Sequence, residues 1–404
     1  MKIACTGFVS ATAGSVAAAN GLLLNRLLDR GFEIDFFSKP SFVDPRPIIG
    51  NKVRFRFVAV NNRVLNFVRA QAERVPLIRI AASTADAYSY NRLVTRTIAR
   101  EHQTRAYDLC LWLGDYARGS VPGLRTVSFA QGPPGTDARS VLLRYAEIRR
   151  LVSPVHALKW RFLAGLRLSP LGKPPLHHSD HFIVGSRQSS STLTRNYSVD
   201  PQRIFVLPYP IDLDLFRPLG SAPKSRSLRV LWLGRIVPRK RLDVFLDGAA
   251  LAIKKGIDIR LTLVGSSGFV PGYEIMIRSF PYPDRLEYRE WIDRIQVPML
   301  LSQHDVLAQP SDEENFGSSV AEAQSCGLPV IVGQTNGNAD YLSPRDLHLA
   351  DERPETFAEA LAEMSRRKAS GKLGEPAISR TLAEQKFHVD SVVNGLIQIL
   401  KSAI

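Results

Sequence analysis

The alternation of short apolar strands with amphipathic helices constrains the fold of this chain more than any other feature. It begins at the amino terminus, where residues 2–7 are strand-like, residues 16–30 have helical periodicity and residues 33–38 are again strand-like. Gly31 lies between the predicted helix and the second strand, at a position where helices commonly end in a left-handed glycine. Two strands joined by a helix run parallel. The pattern therefore predicts an α/β fold with parallel, doubly wound sheets.

The same alternation occurs twice, on either side of a segment rich in Pro, Gly and Ser at residues 208–226. A chain of 404 residues is also longer than one hydrophobic core usually supports. Ligands of open α/β sheets bind beyond the carboxyl ends of the strands, so a cleft between two domains is the expected active site. We expect two facing Rossmann-like domains over residues 1–215 and 228–385, a linker over 216–227, and a closing helix over 386–404 that packs back on the first domain.

The positive charge of the chain is concentrated in its first half. Residues 1–215 contain 29 Lys and Arg against 15 Asp and Glu, whereas the remaining residues contain 24 against 23. Such an excess indicates an anionic partner, either nucleic acid or an anionic membrane surface. Because no nucleic-acid-binding motif accompanies the charge, we expect no nucleic acid, and an anionic membrane surface stays open as the partner.

Residues 141–173 carry much of this excess, with seven basic residues and one acid, Glu147. They predict one or two basic amphipathic helices, broken at Pro154, and such a helix is able to lie on a membrane with its apolar face in the acyl boundary. The alternative is a core-facing helix with a solvated basic face. The apolar residues of the segment are Leu142, Leu143, Leu151, Val155, Leu158, Trp160, Phe162, Leu163 and Leu166.

The cysteines and the amino-terminal residues bear on the compartment. Cys5, Cys110 and Cys326 are far apart and lack metal-ligand spacing, which is typical of buried thiols in a reducing compartment. The amino terminus lacks the apolar core of a signal peptide, and the chain has no run of about 18 apolar residues. We expect a cytoplasmic protein, or one that is attached peripherally to the cytosolic face of a membrane.

Residues 310–333, PSDEENFGSSVAEAQSCGLPVIVG, combine an acidic turn with the start of a helix. The helix begins at Gly317 and Ser318, and the free N–H groups of a helix amino terminus suit a phosphate. Glu314 and Glu322 are separated by seven residues. That spacing is able to direct two carboxylates toward the vicinal hydroxyls of one sugar or ribose. The alternative is that both glutamates are merely solvated.

A basic segment follows the strand at residues 229–233. Gly234 allows the backbone to turn there, and Arg235 and Lys240 are then expected to face the cleft. A guanidinium fork and an ammonium group suit a diphosphate and the charge that grows on it as it leaves. We interpret the neighbouring Arg239 and Arg241 as a solvated basic turn.

These motifs together resemble the retaining glycosyltransferases of family 4, which have the GT-B fold. The resemblance covers nearly the whole chain and is specific as a combination. It rests on G-R-x4-K at Arg235 and Lys240, E-x7-E with F-G from Glu314 to Glu322, and P-V-I-V-G after them. The linker D-L-D-L-F-R-P and the loop Ala13-Gly14-Ser15-Val16 also match the family pattern.

The resemblance implies a hexosyltransferase that moves a sugar from a nucleoside diphosphate sugar to an envelope or cell-surface glycan or a lipid-linked acceptor, with retention. It implies that the first domain binds the acceptor and the second the donor. The implied catalytic residues are Glu314 on the donor sugar and Arg235 and Lys240 on the diphosphate. The implied donor-binding residues are Gly14, Ser15, Gly234, Glu322 on the ribose, and the backbone at Phe316, Gly317 and Ser318.

The chain departs from the family pattern at four places. Ala13 replaces a glycine, Asn315 replaces a glycine after the first glutamate, and Asp340 stands where glutamate is more common. Gln131, the acceptor-side candidate, follows a strand where many members have a histidine, and an amide is no general base. In retaining members the departing phosphate takes the acceptor proton, so activity is compatible with this loss. A nucleotide-sugar epimerase and a catalytically silent binding protein of the same fold remain as alternatives.

Three further patterns have simpler explanations. Asp212-Leu-Asp214 matches a metal-binding pattern but lies in the linker, and Gly265–Gly268 lacks the Gly-Lys-Ser/Thr of a phosphate loop. His177, His178 and His181 lack zinc spacing. We therefore expect neither a metal requirement nor a cofactor beyond the donor. Contacts to the donor base are expected near residues 288–292.

Overall fold

The computed structural model describes residues 1–9, 14–38, 49–50, 52–60, 76–170, 172–174, 176–220, 225–270, 272–273 and 275–404. For residues 14 and 76–89 it describes the backbone only. Ala13 and residues 221–224 of the expected linker lie outside this set.

The first half contains a seven-stranded parallel sheet in the order β3-β2-β1-β4-β5-β6-β7. Its strands are β1 (Lys2–Gly7), β2 (Glu33–Ser38), β3 (Phe55–Ala59), β4 (Leu109–Gly114), β5 (Thr126–Ala130), β6 (His181–Val184) and β7 (Ile204–Val206). Its α-helices, in the described residues, are α1 (Gly14–Asp29), α2 (Pro76–Arg105), α3 (Thr136–Leu143), α4 (Tyr145–Leu151), α5 (Pro154–Leu168) and α6 (Arg187–Tyr197).

The second half contains a six-stranded parallel sheet in the order β10-β9-β8-β11-β12-β13. Its strands are β8 (Leu228–Leu233), β9 (Ile259–Val264), β10 (Leu286–Arg289), β11 (Val306–Gln309), β12 (Val330–Val332) and β13 (Leu347–His348). Its α-helices, again in the described residues, are α7 (Leu242–Lys254), α8 (Ile275–Arg278), α9 (Val297–Ser302), α10 (Ser318–Ser325), α11 (Pro354–Ala369), α12 (Pro376–Phe387) and α13 (Val389–Ser402).

The strand order reverses direction once in each sheet, between β1 and β4 and between β8 and β11. A crevice forms at such a switch point, outside the carboxyl ends of the two strands. Strand β11 is buried along its whole length, and β4 and β8 over most of theirs, which is typical of parallel strands covered on both faces. The predicted fold class, two α/β domains with parallel, doubly wound sheets, is confirmed.

Helices α3, α4 and α5 belong to the first half of the sequence but pack on the second. Ala138, Val141 and Ile148 are buried in the same apolar cluster as Trp232 and Phe245. Pro154 begins α5 at its first turn, as the predicted break requires. The predicted domain boundaries therefore leave an arm of the first half in contact with the core of the second.

The last helix returns to the first half. Helix α13 packs against α1, where Asp390 pairs with Arg26 at 3.1 Å and Arg30 at 3.0 Å. The backbone N–H of Ile211 donates to the carbonyl of Phe387, so the chain crosses between halves at the end of α12. Among the described residues, no helix has both the length and the apolar character needed to cross a bilayer.

Candidate functional site

A cleft of about 300 Å³ lies between the two halves at the carboxyl ends of their strands. The catalytic and acceptor-side residues expected from the sequence that line it are Gln131, Arg235 and Glu314. Gln131 follows β5, Arg235 follows β8 and Glu314 lies in the turn after β11. Since β8 and β11 flank the switch point of the second sheet, the fold itself places these loops beside one another.

Glu314 is the buried acid of this cleft. Its Oε2 accepts from Arg239 Nη1 at 2.7 Å and lies 2.6 Å from Lys240 Nζ. Burial alone would raise the pKa of Glu314, but the charges and hydrogen bonds of Arg239 and Lys240 outweigh it and lower the pKa to about 2. The site therefore presents an ionised carboxylate held by two cations.

Lys240 is buried beside Glu314 and Gln309. Its Nζ donates to Gln309 Oε1 at 3.1 Å, a contact that the sequence motifs did not indicate. Burial lowers the pKa of Lys240, Glu314 opposes this change, and the charge of Arg239 adds to it. A Cβ on Gly234 would lie 3.3 Å from Gln309 Nε2 and 3.6 Å from Lys240 Cε, so glycine there leaves room for the lysine.

Arg235 and its basic neighbours are placed differently from one another. The side chain of Arg235 is 60% exposed, and its Nη2 lies 3.9 Å from Asp137 Oδ2. The interpretation of Arg239 and Arg241 as a solvated turn is wrong. Arg239 is 15% exposed and bonds Asp137 and Glu314, whereas Arg241 is 5% exposed and pairs with Asp243 at 2.8 Å. Burial of a guanidinium requires such carboxylate partners.

The amino terminus of α10 opens beside Glu314. Gly317 caps the helix in the left-handed region with φ 75°, where a Cβ would lie 2.8 Å from Asn336 Oδ1. Asn338 Nδ2 donates to the carbonyl of Gly317 at 2.8 Å, which fixes the turn before Ser318. Neither asparagine was singled out from the sequence, although both follow the strand adjacent to β11.

Phe316 enters the core and not the cleft. Its ring is 2% exposed and packs edge-on against Tyr341 and Phe387, with centroids 6.0 and 5.3 Å away. The backbone contact with the donor that the resemblance implies for Phe316 stays a prediction. The aromatic contact also ties the helix mouth to the end of α12.

Glu322 lies within α10 and pairs with Arg294 Nη1 at 2.7 Å. Burial raises the pKa of Glu322, while the charge of Arg294 opposes that shift. The guanidinium of Arg294 also lies over the ring of Phe216, 4.8 Å from its centroid. Arg294 comes from the segment after β10, just beyond the residues expected to contact the base. The predicted ribose contact of Glu322 stays a prediction.

Two departures from the family pattern form contacts between the halves. Asn315 Oδ1 accepts from the backbone N–H of Gly185 at 3.1 Å, and its Nδ2 donates to the carbonyl of Ala130 at 3.4 Å. Asp340 Oδ2 accepts from the backbone N–H of Arg187 at 2.7 Å. Asn315 therefore connects the turn after β11 to the ends of β5 and β6, and Asp340 connects the second half to the start of α6.

The first-domain loop is described only in part. Gly14 and Ser15 lie at the amino terminus of α1, whereas Ala13 before them lies outside the described residues. Their approach to a donor stays a prediction. Gln131 is exposed at the end of β5 and lines the cleft opposite Glu314.

The other patterns have structural partners. Asp212 Oδ1 accepts from the backbone N–H of Leu215 at 3.0 Å, which caps a turn. A Cβ on Gly265 would lie 1.9 Å from the carbonyl oxygen of Gly234, so this glycine permits two loops to touch. The parts of the chain that the structure describes contain no group of three or more His, Cys, Asp or Glu placed to hold a metal ion.

A family model matches a large part of the second half. Residues 220–379 match the family glycosyl transferases group 1. A D-inositol 3-phosphate glycosyltransferase from Segniliparus rotundus is 28% identical over 245 residues, which are 56% of this chain and 53% of that protein. Another, from Catenulispora acidiphila, is 30% identical over 40% of this chain and 42% of its own length. The chain thus spans about half the length of these curated relatives.

Solved structures match the whole chain at lower identity. The Anabaena protein HepE, crystallised in complex with UDP and glucose, superposes with a TM-score of 0.65 at 15% identity and full coverage of both chains. Sucrose-phosphate synthase from Thermosynechococcus elongatus gives a TM-score of 0.68 at 17% identity, covering 100% of this chain and 99% of that one. At these identities the likeness shows the fold, which is GT-B.

Proposed function

We propose that this chain, whose residues 220–379 belong to the glycosyl transferases group 1 family, transfers a hexose from a nucleoside diphosphate sugar to an acceptor with retention. One observation carries the proposal. The ionised Glu314 and the cation Arg235 line one cleft between two doubly wound sheets, and Lys240 and the start of α10 at Gly317 lie against Glu314. Such a set suits a sugar with its diphosphate.

Each group has a part in the reaction. Arg235 and Lys240, with the backbone N–H groups at Gly317 and Ser318, stabilise the negative charge that grows on the leaving diphosphate. Glu314 accepts hydrogen bonds from donor-sugar hydroxyls and orients the anomeric carbon toward the acceptor. The acceptor hydroxyl attacks on the face that the diphosphate leaves, and the departing phosphate receives its proton. The protein then needs no dedicated base, and Gln131 is free to position the acceptor.

The experiment is a screen of nucleotide sugars by thermal shift, followed by a transfer assay with the labelled donor that stabilises the fold most. A true donor stabilises the folded state by RT ln(1 + [L]/Kd). Passage of label to an added acceptor supports transfer. Conversion of the donor to its epimer would support an epimerase, and binding without turnover a silent protein; either result overturns the proposal.

We propose that turnover needs no divalent metal. Arg235 lines the cleft, and Lys240 and the amino terminus of α10 at Gly317 lie beside Glu314, so positive charge for a diphosphate is already present. Turnover is expected to stay within about two-fold of its initial value after EDTA treatment, since no metal-borne charge would be removed. Loss of activity in EDTA, restored by magnesium or manganese, would contradict this prediction.

We also propose that α5 docks on an anionic membrane, where a lipid-linked acceptor is reached. Val155, Leu158, Phe162 and Leu166 are 78, 61, 68 and 47% exposed and follow helical spacing. They form one exposed apolar stripe, hereafter the α5 stripe. Lys159 and Arg161 on the same helix are exposed, as are Arg149 and Arg150 at the end of α4. Such a surface suits acyl chains and anionic headgroups together.

Two residues expected in this apolar face lie elsewhere. Leu151 and Trp160 pack against the second half, where the Trp160 ring lies 5.7 Å from that of Phe269. The expectation that Leu151 and Trp160 belong to an apolar face on the membrane is wrong, because one face of α4 and α5 is covered by the second half of the protein. The α5 stripe is the uncovered apolar face of α5. Arg167, on the same helix, lines the cleft.

Sedimentation with liposomes tests the docking. The wild-type protein is expected to bind anionic vesicles at low salt, since each headgroup contact by Lys or Arg contributes about 1 kcal/mol, and to be released at high salt. The double variant Leu158→Gln, Phe162→Gln is expected to bind at least about ten-fold less, because burial of each side chain contributes about 1.5–3 kcal/mol.

The matched control is Ile295→Gln, which changes a residue that is 76% exposed and lies outside the α5 stripe. It is expected to bind vesicles as the wild type does. Equal recovery of all three proteins, or binding to neutral vesicles as strong as to anionic ones, would mean that the basic half serves another partner.

A further inference from the structure

A carboxylate of the first half sits on the basic segment that follows β8. Asp137 lies in the first turn of α3, and its Oδ1 accepts from Arg239 Nε at 2.7 Å. Its Oδ2 lies 3.9 Å from Arg235 Nη2. The same Arg239 donates through Nη1 to Glu314 at 2.7 Å. One guanidinium is therefore shared by an acid from each half of the chain.

The two acids differ in how firmly they are held. Glu314 is buried between Arg239 and Lys240, whereas the side chain of Asp137 is 42% exposed at the cleft wall. The Arg239 guanidinium is buried, and the charges of Glu314 and Asp137 raise its pKa against that burial. Asp137 is thus the more easily displaced of the two partners.

Other ion pairs hold the halves together without Asp137. Arg144 Nη2 lies 2.6 Å from Asp312 Oδ2, and Arg139 Nε lies 2.9 Å from Glu313 Oε2. In both of these pairs the arginine comes from α3 or the residue after it, and the acid comes from the turn after β11. Loss of the Asp137 contact therefore frees Arg235 and the Nε of Arg239, whose Nη1 stays bonded to Glu314, while the arm stays attached.

We propose that Asp137 is an internal substitute for the donor diphosphate, occupying Arg239 and Arg235 in the free protein and returning to them as the nucleoside diphosphate product leaves. This inference rests on the proposed function. A diphosphate offers more charge and more acceptor oxygens than one carboxylate, so it displaces Asp137. The displaced carboxylate competes for the arginines during product release and lowers product affinity by the fraction of time that it occupies them.

The test compares wild-type protein with Asp137→Asn for binding of UDP, GDP and ADP in turn, by calorimetry and by stopped-flow dissociation. For the nucleotide that binds, the variant is expected to bind about five-fold more tightly, mainly through slower dissociation, since coupling of this kind begins near five-fold. With an active donor, its KM is expected to fall by a similar factor and its kcat not to rise.

Asp258→Asn is the matched control. Asp258 is also a half-exposed aspartate that pairs with an arginine, Arg285, but it does not line the cleft. The Asp258→Asn variant is expected to bind nucleotides as tightly as the wild type does. Tightening in Asp137→Asn should persist at about 0.5 M salt, because a direct contact is screened less than a general field.

Each result decides the matter. Unchanged or weaker binding in Asp137→Asn, tightening that vanishes at high salt, or equal tightening in Asp258→Asn overturns the inference and leaves the proposed function standing. If neither wild-type protein nor variant binds any of the three nucleotides, the proposed function fails and this inference fails with it.

Discussion

Replacement of Glu314 by glutamine is expected to lower turnover at least ten-fold while the protein remains folded. The change keeps the shape of the side chain but removes the charge that Arg239 and Lys240 bind at 2.7 and 2.6 Å. It also removes an acceptor for donor-sugar hydroxyls. Loss of one group that contacts the transition state typically costs about 2–4 kcal/mol. The measurements are kcat with the donor found by screening and the melting temperature of each protein.

Glu363→Gln provides a closely matched control. Glu363 is also a carboxylate between two cations, Arg366 and Arg367, each at 2.7 Å, but it lies on α11 outside the cleft and is 34% exposed. The Glu363→Gln variant is expected to turn over the donor at the wild-type rate. Wild-type turnover in Glu314→Gln would show that the acid of the cleft has no part in the chemistry. A similar loss in both variants would point to a general effect of charge.

Much of the fold was predictable because parallel strands are buried on both faces and so appear as continuous apolar runs. Strands β1 and β2 begin and end at the residues expected from the sequence. Turns that follow central strands of such sheets converge at one edge, which is why Arg235 and Glu314 meet in one cleft.

The partners of the basic segment could not be predicted in the same way. Arg239, Lys240 and Arg241 are consecutive, and a local run of charge is usually solvated. The acids that pair with the buried arginines include two that are distant in sequence. Asp137 is 102 residues from Arg239, and Asp312 is 71 residues from Arg241. Spacing within a motif carries no information about such distant partners, so the error on Arg239 and Arg241 arose there.

The arm formed by α3, α4 and α5 shows a second limit. Helical periodicity identifies an apolar face but not the surface that covers it. Trp160 and Leu166 both belong to apolar positions of α5, yet Trp160 packs against Phe269 while Leu166 is exposed. The sequence places α5 in the first half, and only the packing shows that its covered face belongs to the second.

Gly337 also escaped the sequence motifs, and its replacement is expected to disable the site. The backbone N–H of Gly337 donates to the carbonyl of Glu314 at 2.8 Å. A Cβ at this position would lie 2.0 Å from the carbonyl oxygen of Asn315 and 2.5 Å from its carbon. Because these are backbone atoms, Gly337→Ala must push the turn that carries Glu314 away from Lys240 by about 1 Å, and such a misplacement costs about 100-fold in rate.

The same collision predicts a loss of stability, since overpacking of a buried site costs about 1–3 kcal/mol. The expected result for Gly337→Ala is therefore a turnover about 100-fold below the wild type together with a lower melting temperature. Gly165→Ala is the control: Gly165 lies within α5, and a Cβ there meets no atom within 4 Å. This variant is expected to keep its turnover and to be as stable as the wild type or slightly more so. A fully active Gly337→Ala would mean that the turn tolerates displacement, and the contact of Glu314 with Lys240 would then not be what positions the donor.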